Sequence, residues 1–325
     1  MSRILITAGD PNGVGPEIIL KTLADSVYSK VVVFGDANHF DACAHELNIK
    51  NPLKVIEPGC DLPSDNDPCL YPIESAAPRR PGVADPVHAQ QVIKVLTTAT
   101  RLCLDGHAGA MVTAPINKAV LKDGAQFAFP GHTELLASLS GIKTPVMMLV
   151  APDLRTVPVT IHIPLSDVPS RLTPSLLKET INTTHVALRK NFHIENPRLV
   201  VAGLNPHAGE EGKIGTEEQD WMAQAISDLA ASGLAISGPY PADTLFHEAR
   251  RKDYDAAICM YHDQALIPVK TLAFDDGVNA TLGLPFIRTS PDHGTAFDIA
   301  GKGIARPDSF KAALELAQTL VETNV

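Results

Sequence analysis

Short apolar runs alternate with longer amphipathic stretches along this chain, and this alternation limits its possible folds more than any other feature. Leu199–Ala202 has the length and composition of a buried strand, whereas apolar residues in Pro86–Leu104 recur every three or four positions, as on one helix face. The candidate strands are Ile4–Thr7, Val31–Phe34, Ala110–Thr113, Pro145–Val150, Val157–Ile161, Leu199–Ala202 and Ala256–Met260. The candidate helices are Pro86–Leu104, Pro174–Lys190, Thr216–Ala231 and Asp308–Thr323. The alternation predicts an α/β fold, with a mostly parallel sheet and helices on both faces.

Size and charge argue against several classes of protein. The chain has 325 residues, 45% of them hydrophobic, which is enough for two domains or one large α/β unit. Its formal net charge of −10 disfavours nucleic acid and anionic membrane surfaces as partners. An anionic substrate would therefore have to be bound by local basic residues.

The cysteines and the N-terminus predict a cytoplasmic protein. The five cysteines are odd in number and form no C-x-x-C pair, which disfavours both a disulfide framework and a thiolate zinc site. The N-terminal apolar run is too short for a signal peptide, and no stretch of about 18 apolar residues predicts a membrane span.

Three histidines each follow an apolar run that reads as a strand. They are His162, His207 and His262. Ligands of open α/β sheets bind beyond the carboxyl ends of the strands, so these side chains are expected to share a cleft. Three imidazoles with an open position suit a catalytic divalent ion of the zinc or cobalt kind. Because the chain has 12 histidines, ordinary capping or loop histidines are the alternative.

Several residues are candidates for binding an anion. The segment Gly131–Leu136 reads as a helix start, where free backbone N–H groups, His132 and Thr133 could hold a phosphate. An ordinary helix cap is the alternative. The basic residues Lys270 and Arg288 follow the third histidine, with Asn279 between them, and the apolar segment before Arg288 argues against a surface position.

Three stretches are rich in turn-forming or small residues. Pro58–Pro86 predicts a long surface loop. The turn Gly9–Glu17 follows the first strand and opens a helix, but it is neither a G-x-G-x-x-G sequence nor a Walker A loop. The small residues of His293–Gly303 would let a flat ligand lie against the backbone.

Taken together, these residues resemble the 4-hydroxythreonine-4-phosphate dehydrogenase family of pyridoxal phosphate biosynthesis over essentially the full length. The matching stretches are Gly9-Asp10-Pro11, Gly15-Pro16-Glu17, Thr113–Lys118, Gly131–Glu134, Gly203–Glu210, Gly238-Pro239, Pro241–Thr244, Met260–Gln264 and Leu282–Gly294. The His293–Gly303 loop and the first turn are also similar to those of isopropylmalate and isocitrate dehydrogenases.

The resemblance implies a fold and a quaternary structure. It implies two α/β/α domains with a central cleft, as in isocitrate and isopropylmalate dehydrogenases. The first domain, on the NAD side, would comprise residues 1–125 and 245–325, and the second, on the substrate and dimer side, residues 126–244. It further implies a homodimer whose active site lies at the interface, with ligands from both chains.

The resemblance also assigns residues to roles. It makes His162, His207 and His262 the metal ligands. The substrate contacts it implies are His132, Thr133, Lys270, Asn279 and Arg288. Asp243, Asp263 and Lys270 are the candidates for proton transfer, and either aspartate could instead orient a metal-binding histidine. The candidate cofactor residues are Gly13, Gly15, His293, Gly294 and Asp298.

The implied reaction is the NAD-dependent oxidation of 4-phosphooxy-L-threonine, with NADP as the alternative cofactor. The product, 2-amino-3-oxo-4-phosphooxybutanoate, would lose CO₂ to give 3-amino-2-oxopropyl phosphate. One divalent ion per site, zinc, magnesium or cobalt, would assist both steps.

Other functions remain open from the sequence. The nearest is a sister dehydrogenase acting on 4-phospho-threonate or 4-phospho-erythronate, which would use the same residues. A phosphate acyltransferase of related fold needs no three-histidine ion. A hydrolase using a metal-bound water would release phosphate without NAD. A non-catalytic binding module would not require eight matching site residues.

Overall fold

A computed structural model describes residues 3–24, 28–57, 62–63 and 66–322. The chain divides into two compact units, Met1–Pro145 with Leu284–Val325, and Val146–Gly283. Both boundaries lie later in the chain than those that the family resemblance implied, 125/126 and 244/245. The reason is that strands and helices between 245 and 283 pack with the middle of the chain, and the segment 126–145 packs with the N-terminal part. Among the described residues, no helix is both long and apolar enough to cross a membrane.

Unit 1 contains a six-stranded parallel sheet. Its strands are β1 (Ile4–Thr7), β2 (Val31–Gly35), β3 (Lys54–Val55), β4 (Cys69–Pro72), β5 (Ala110–Thr113) and β12 (Ile287–Pro291). They lie in the order β3-β4-β2-β1-β5-β12, and every pair is parallel. The helices are α1 (Gly15–Leu23), α2 (Ala37–Glu46), α3 (Ala89–Leu104), α4 (Lys118–Ala125), α5 (His132–Leu139) and α12 (Asp308–Glu322). Since β1 and β2 are buried along their whole length, they show the continuous apolar runs that parallel strands require.

Unit 2 contains a mixed sheet. Its strands are β6 (Val146–Ala151), β7 (Leu154–Pro158), β8 (Leu199–Ala202), β9 (Ile236–Tyr240), β10 (Ala256–Cys259) and β11 (Val278–Leu282). The order is β11-β6-β7-β10-β8-β9, with β6 antiparallel to both of its neighbours and the other pairs parallel. The helices are α6 (Val168–Arg171), α7 (Pro174–Lys190), α8 (Ala223–Ala231), α9 (Ala242–Leu245), α10 (Glu248–Arg251) and α11 (His262–Leu272).

The predicted α/β class is confirmed, and helix α7 begins and ends where the sequence placed it. Thr173 caps its N-terminus by accepting a hydrogen bond from Leu176 N (3.1 Å), and Pro174 occupies the first turn. Arg189 and Lys190 lie in its last turn, where positive charge is favourable. The amphipathic stretch Pro86–Leu104 forms one 3₁₀ turn followed by α3.

Some predicted elements differ from the structure. The strand predicted at Val157–Ile161 is β7, which begins at Leu154, because it forms a tight hairpin with β6 that the polar residues Arg155 and Thr156 concealed. The loop predicted at Pro58–Pro86 contains β4, which the sequence did not reveal because this strand ends in a proline and is buried only in its first half. Residues 58–61 and 64–65 of that loop, and Thr323 of the predicted last helix, lie outside the described residues.

Candidate metal and anion sites

In unit 2, the three predicted metal ligands follow three adjacent parallel strands. His162 follows β7, His262 follows β10 and His207 follows β8, and these strands are neighbours in the order β7-β10-β8. Since parallel strands end at the same edge of a sheet, the three histidine-bearing turns leave the sheet side by side.

Hydrogen bonds through Met260 tie the three turns together. The Thr160 hydroxyl donates to Met260 O (2.8 Å), which joins the turn of His162 to that of His262. Met260 N donates to Gln264 Oε1 (2.6 Å), and Gln264 Nε2 donates to Gly203 O (2.8 Å) at the start of the turn that carries His207. Because these groups are buried, their hydrogen bonds constrain how the turns can move.

His162 and His262 form a pair. Their ring centres are 5.7 Å apart, with the planes inclined at 42°. Two imidazoles that share a metal ion at about 2.0–2.1 Å from each nitrogen place their ring centres roughly 5–6 Å apart, so the observed spacing fits a shared ion. The pair lines a cavity of about 250 Å³ together with Thr160, Tyr261 and Asp263.

Asp263 orients the His262 ring. His262 Nδ1 lies 2.7 Å from Asp263 Oδ1, and because a carboxylate only accepts, Nδ1 carries the hydrogen. The lone pair is then on Nε2, where it can bind a metal ion. Carboxylate–histidine–metal arrangements of this kind raise the basicity of the ligand.

Replacing Asp263 with Asn is therefore expected to weaken zinc or cobalt binding by about 10- to 100-fold, since an amide is a poorer partner for Nδ1–H. Titration of the metal-free protein with the ion measures this. The matched control is Asp153→Asn, an exposed aspartate in the β6–β7 turn. Equal affinities in all three proteins would contradict the role of Asp263.

His207 lies on an unusual turn. Residues His207, Ala208, Gly209, Glu210 and Glu211 all have left-handed backbone angles. This conformation costs roughly 1–2 kcal/mol for each residue that is not glycine, so neighbouring contacts must hold the turn in place. Within the part of the chain that the structure describes, no three metal-ligating side chains are close enough to hold one ion. One chain therefore brings together His162 and His262 but not His207.

The other predicted residues of unit 2 lie on separate elements. Asp243 is exposed on the short helix α9. Lys270, on α11, places its ammonium 5.6 Å from the centre of the Phe274 ring. Asn279 lies on β11, and its buried Oδ1 has no hydrogen-bond partner among the described residues.

In unit 1, three of the predicted anion residues, His132, Thr133 and Arg288, lie near the N-terminus of α5. Gly131 precedes the helix without any side-chain cap, and His132 and Thr133 form the start of its first turn. Arg288 on β12 is only 4% exposed and donates from Nη2 to Thr113 Oγ1 (2.6 Å). The segment therefore combines uncapped backbone N–H groups with a buried cation, as phosphate sites do.

The electrostatics of this region favour an anion. Burial lowers the pKa of Arg288 to about 10, with Glu134 opposing the change, so the guanidinium still carries its charge at pH 7. Burial and the cations of Arg288 and Lys118 hold the pKa of His132 well below its usual range, so the imidazole is neutral. Its Nε2 is buried and has no hydrogen-bond partner among the described residues.

Two residues of this region were not among the predicted site residues. Thr113 orients Arg288, and Lys118 Nζ lies 3.6 Å from the position that a Cβ on Gly131 would occupy. Both belong to the stretch Thr113–Lys118, which is one of the stretches that match the family but to whose residues no role was assigned. The sequence feature that could have identified them is the location of this stretch at the carboxyl end of the predicted strand β5.

The candidate cofactor residues of unit 1 lie on two connected segments. Val14 N donates to Thr295 O (3.0 Å), which joins the first turn to the loop of His293, Gly294 and Asp298. Those three loop residues are exposed. A Cβ on Gly15 would lie 2.3 Å from Ala8 O, so that glycine allows α1 to pack against the end of β1.

Glu17 and Lys21 attach the same loop to α1. The buried Glu17 carboxylate accepts from Lys21 Nζ (2.8 Å) and from Ala305 N (2.9 Å). Lys21 Nζ also donates to Gly303 O (2.9 Å) and Ala305 O (2.8 Å). The Gly15-Pro16-Glu17 sequence thus has a structural role, because it anchors the segment that follows the candidate cofactor loop.

Asp10 in the first turn is 2% exposed, and burial raises the pKa of its carboxyl to about 6, although Asn12 N donates to it. Because the folded-state pKa lies above the usual value of 3.8, the fold favours the protonated form. The contribution of Asp10 to stability is thus fully present below about pH 4 and is lost as the pH rises through 6.

Asp10→Asn is expected to leave the free energy of unfolding nearly unchanged at pH 4 and to raise it by about 1–3 kcal/mol at pH 7.5. Urea unfolding of both proteins at several pH values measures the difference. Asp105→Asn, at an exposed position, serves as the control. A pH-independent difference would contradict this explanation.

Comparison with known proteins identifies the family. Residues 27–317 match the family described as pyridoxal phosphate biosynthetic protein PdxA. The chain belongs to this family. A PdxA relative from Roseobacter denitrificans, named 4-hydroxythreonine-4-phosphate dehydrogenase, is 53% identical over 325 residues, which cover 99% of this chain and 98% of the relative. A relative of the same name from Paracoccus denitrificans is 51% identical over 321 residues, 98% of this chain and 97% of the relative.

Solved structures agree with membership of the PdxA family. The 4-hydroxythreonine-4-phosphate dehydrogenase of Klebsiella pneumoniae is 37% identical, with a TM-score of 0.90 over 98% of this chain and 99% of that chain. A terephthalate 1,2-cis-dihydrodiol dehydrogenase from Burkholderia xenovorans is 26% identical, with a TM-score of 0.68 over 98% of each chain. As a PdxA protein, the chain is an oxidoreductase, which confirms the class of enzyme predicted from the sequence.

Proposed function

We propose that this protein oxidises 4-phosphooxy-L-threonine with NAD and a divalent metal ion, as a step of pyridoxal phosphate biosynthesis. The observation that carries the proposal is the His162–His262 pair, whose spacing fits a shared ion, in a chain of the PdxA family. The oxidation converts the C3 hydroxyl to a ketone, while NAD takes the hydride and a proton is released. The resulting β-keto acid loses CO₂ and gains a proton at C2, giving 3-amino-2-oxopropyl phosphate.

His162, His207 and His262 would hold the ion. When bound, a divalent ion acts as a Lewis acid that lowers the pKa of the substrate hydroxyl and stabilises developing negative charge. Imidazole ligands favour zinc or cobalt over magnesium, which prefers oxygen. Asp263 would keep Nε2 of His262 available for the ion.

His132, Thr133 and Arg288 would hold the substrate phosphate. The charged guanidinium of Arg288 and the N-terminus of α5 both favour an anion. Because His132 is neutral, it can donate a hydrogen bond to the phosphate without repelling the positive charge of Arg288. Lys118, whose ammonium lies near Gly131, would add a further positive charge. Lys270 and Asn279 are assigned to the substrate by the family resemblance. The Oδ1 of Asn279, which has no hydrogen-bond partner among the described residues, is available to accept a hydrogen bond from the substrate.

Asp243 and Lys270 are the remaining candidates for proton transfer, since Asp263 is engaged with His262. Asp243 is exposed and follows β9, the strand next to that of His207. The exposed loop residues His293, Gly294 and Asp298 and the first-turn residue Gly13 would contact NAD, whereas Gly15 supports the turn through packing.

The functional form would be a cytoplasmic homodimer in which each site uses ligands from both chains. Large apolar side chains are exposed on the elements around the histidine pair: Leu165 is 67% exposed, Ile267 62% and Phe274 75%. A second copy of the chain would bury them. The separation of His207 from the other two histidines within one chain is consistent with a ligand from the partner subunit.

Mixing two inactive variants tests the shared site. His162→Ala and His207→Ala should each be inactive, whereas subunit exchange between them should restore about a quarter of the parental activity. Half of the dimers would then be mixed, each with one intact site. The measurement is the initial rate after exchange, with each variant alone as the control. No recovery after demonstrated exchange would mean that all ligands come from one chain.

The reaction itself is tested by following NAD reduction by absorbance, with 4-phosphooxy-L-threonine as substrate, with and without a chelator. We expect reduction that the chelator abolishes and added zinc or cobalt restores. Activity only with 4-phospho-threonate or 4-phospho-erythronate would mean that the protein is a sister dehydrogenase with that substrate. Release of inorganic phosphate without NAD reduction would instead indicate a hydrolase.

A further inference from the structure

The turn that carries His207 is held by a buried carboxylate. Glu218 is 3% exposed and begins a single π-helical turn, Glu218–Met222. Its Oε1 accepts from Asn205 N (2.8 Å), and its Oε2 accepts from Asn205 Nδ2 (3.0 Å). Both oxygens are thus bound to the residue two positions before His207. Single π turns inside helices are frequent at functional sites.

Glu218 also packs closely against the other side of the turn. A Cβ on Gly209 would lie 2.8 Å from Glu218 Oε2, and one on Gly203 would lie 3.1 Å from Oε1. The carboxylate therefore lies close to the backbone on both sides of His207 and leaves little room for a side chain at Gly203 or Gly209. In contrast, Glu211, on the left-handed part of the same turn, is exposed to solvent.

We infer that Glu218 is a positioning residue for His207, and that it holds the left-handed turn in the conformation that presents this imidazole to a metal ion. The inference rests on the proposed role of His207 as a ligand. The backbone preferences of L-residues do not favour a run of left-handed residues, so the turn needs support from contacts outside it. The two hydrogen bonds that Glu218 accepts from Asn205, and the close approach of its Oε2 to Gly209, supply that support.

Cobalt binding to the metal-free protein tests the inference without relying on turnover. The affinity is measured by titration, and the visible absorption of bound Co²⁺ reports its ligand geometry. The variants are Glu218→Gln, which keeps the volume but turns an amide group towards Asn205 Nδ2, and Glu218→Ala, which removes both acceptors. Glu211→Gln is the matched control, because it removes the same charge from the exposed side of the turn. His207→Ala gives the affinity without the ligand, and thermal melts verify that each variant is folded.

We expect Glu218→Gln and Glu218→Ala to bind Co²⁺ about 10- to 100-fold more weakly, with an altered absorption spectrum, and Glu211→Gln to match the parent. If His207→Ala weakens binding but both folded Glu218 variants keep the parental affinity and spectrum, the inference is overturned while the ligand role of His207 stands. If His207→Ala binds Co²⁺ as the parent does, the ligand role fails and the inference fails with it. A similar loss in Glu211→Gln would mean that charge, and not the position of the turn, sets the affinity.

Discussion

Replacing His162 with alanine is expected to lower kcat/KM for the phosphorylated substrate by roughly a thousandfold or more. Without the His162 imidazole, His262 is left as the single histidine of the pair to hold the proposed metal ion. Loss of the ion removes Lewis acid assistance, which is worth several kcal/mol of transition-state stabilisation. Each 1.36 kcal/mol corresponds to a factor of ten in rate. The measurement is the steady-state rate together with the metal content of the purified variant.

A suitable control for this variant is His193→Ala. His193 lies in the same unit, is exposed, and has a φ of 54°, against 52° for His162, so alanine imposes the same backbone penalty at both positions. His193→Ala should retain parental activity and metal. Near-normal activity and metal content in His162→Ala would show that the histidine pair is not the metal site.

The second large effect is expected at Arg288. Arg288→Met should raise KM for 4-phosphooxy-L-threonine by about 10- to 100-fold, because a charge-assisted hydrogen bond to phosphate contributes about 1.5–3 kcal/mol. KM for NAD should change less than twofold. Methionine is chosen because the residue is buried and a long apolar side chain retains much of its packing.

Two further variants make the interpretation specific. Arg306→Met, at an exposed arginine of the same unit, should leave both KM values unchanged. Arg288→Lys keeps the charge but cannot donate in the forked geometry of a guanidinium, so an intermediate KM is expected. An equal rise in both KM values for Arg288→Met would indicate general damage to the unit and would argue against a phosphate contact.

Elements could be predicted from the sequence where the pattern of apolar residues matches the pattern of burial in the structure. Strands β1, β5 and β8 have the predicted bounds because all of their residues are buried and apolar runs are continuous. Strand β9, Ile236–Tyr240, was not predicted, because Gly238 and Pro239 interrupt it. Its position is set by pairing with β8, which is a contact distant in the sequence.

The candidate site was predictable in its residue types but not in its arrangement. Three histidines at strand ends could be found from the sequence, and the structure places them after adjacent strands. The hydrogen bonds that join their turns link residues as far apart as Thr160 and Met260, or Gly203 and Gln264, so no local pattern reveals them. The left-handed turn at His207 contains only one glycine among its five residues, so its sequence gave no indication of that conformation.

The anchoring of α1 by its contacts with residues 303–305 has a consequence for biosynthesis. A ribosome releases Glu17 and Lys21 long before it releases Gly303 and Ala305, to which they bind. Unit 1 is discontinuous, and its sheet lacks β12 until residues 287–291 have been translated, whereas unit 2 is a single uninterrupted segment. The middle of the chain can therefore reach its native structure on the ribosome while the emerged N-terminal part remains incomplete. During that interval β5 is an unpaired edge strand, and such an edge can pair incorrectly with another chain.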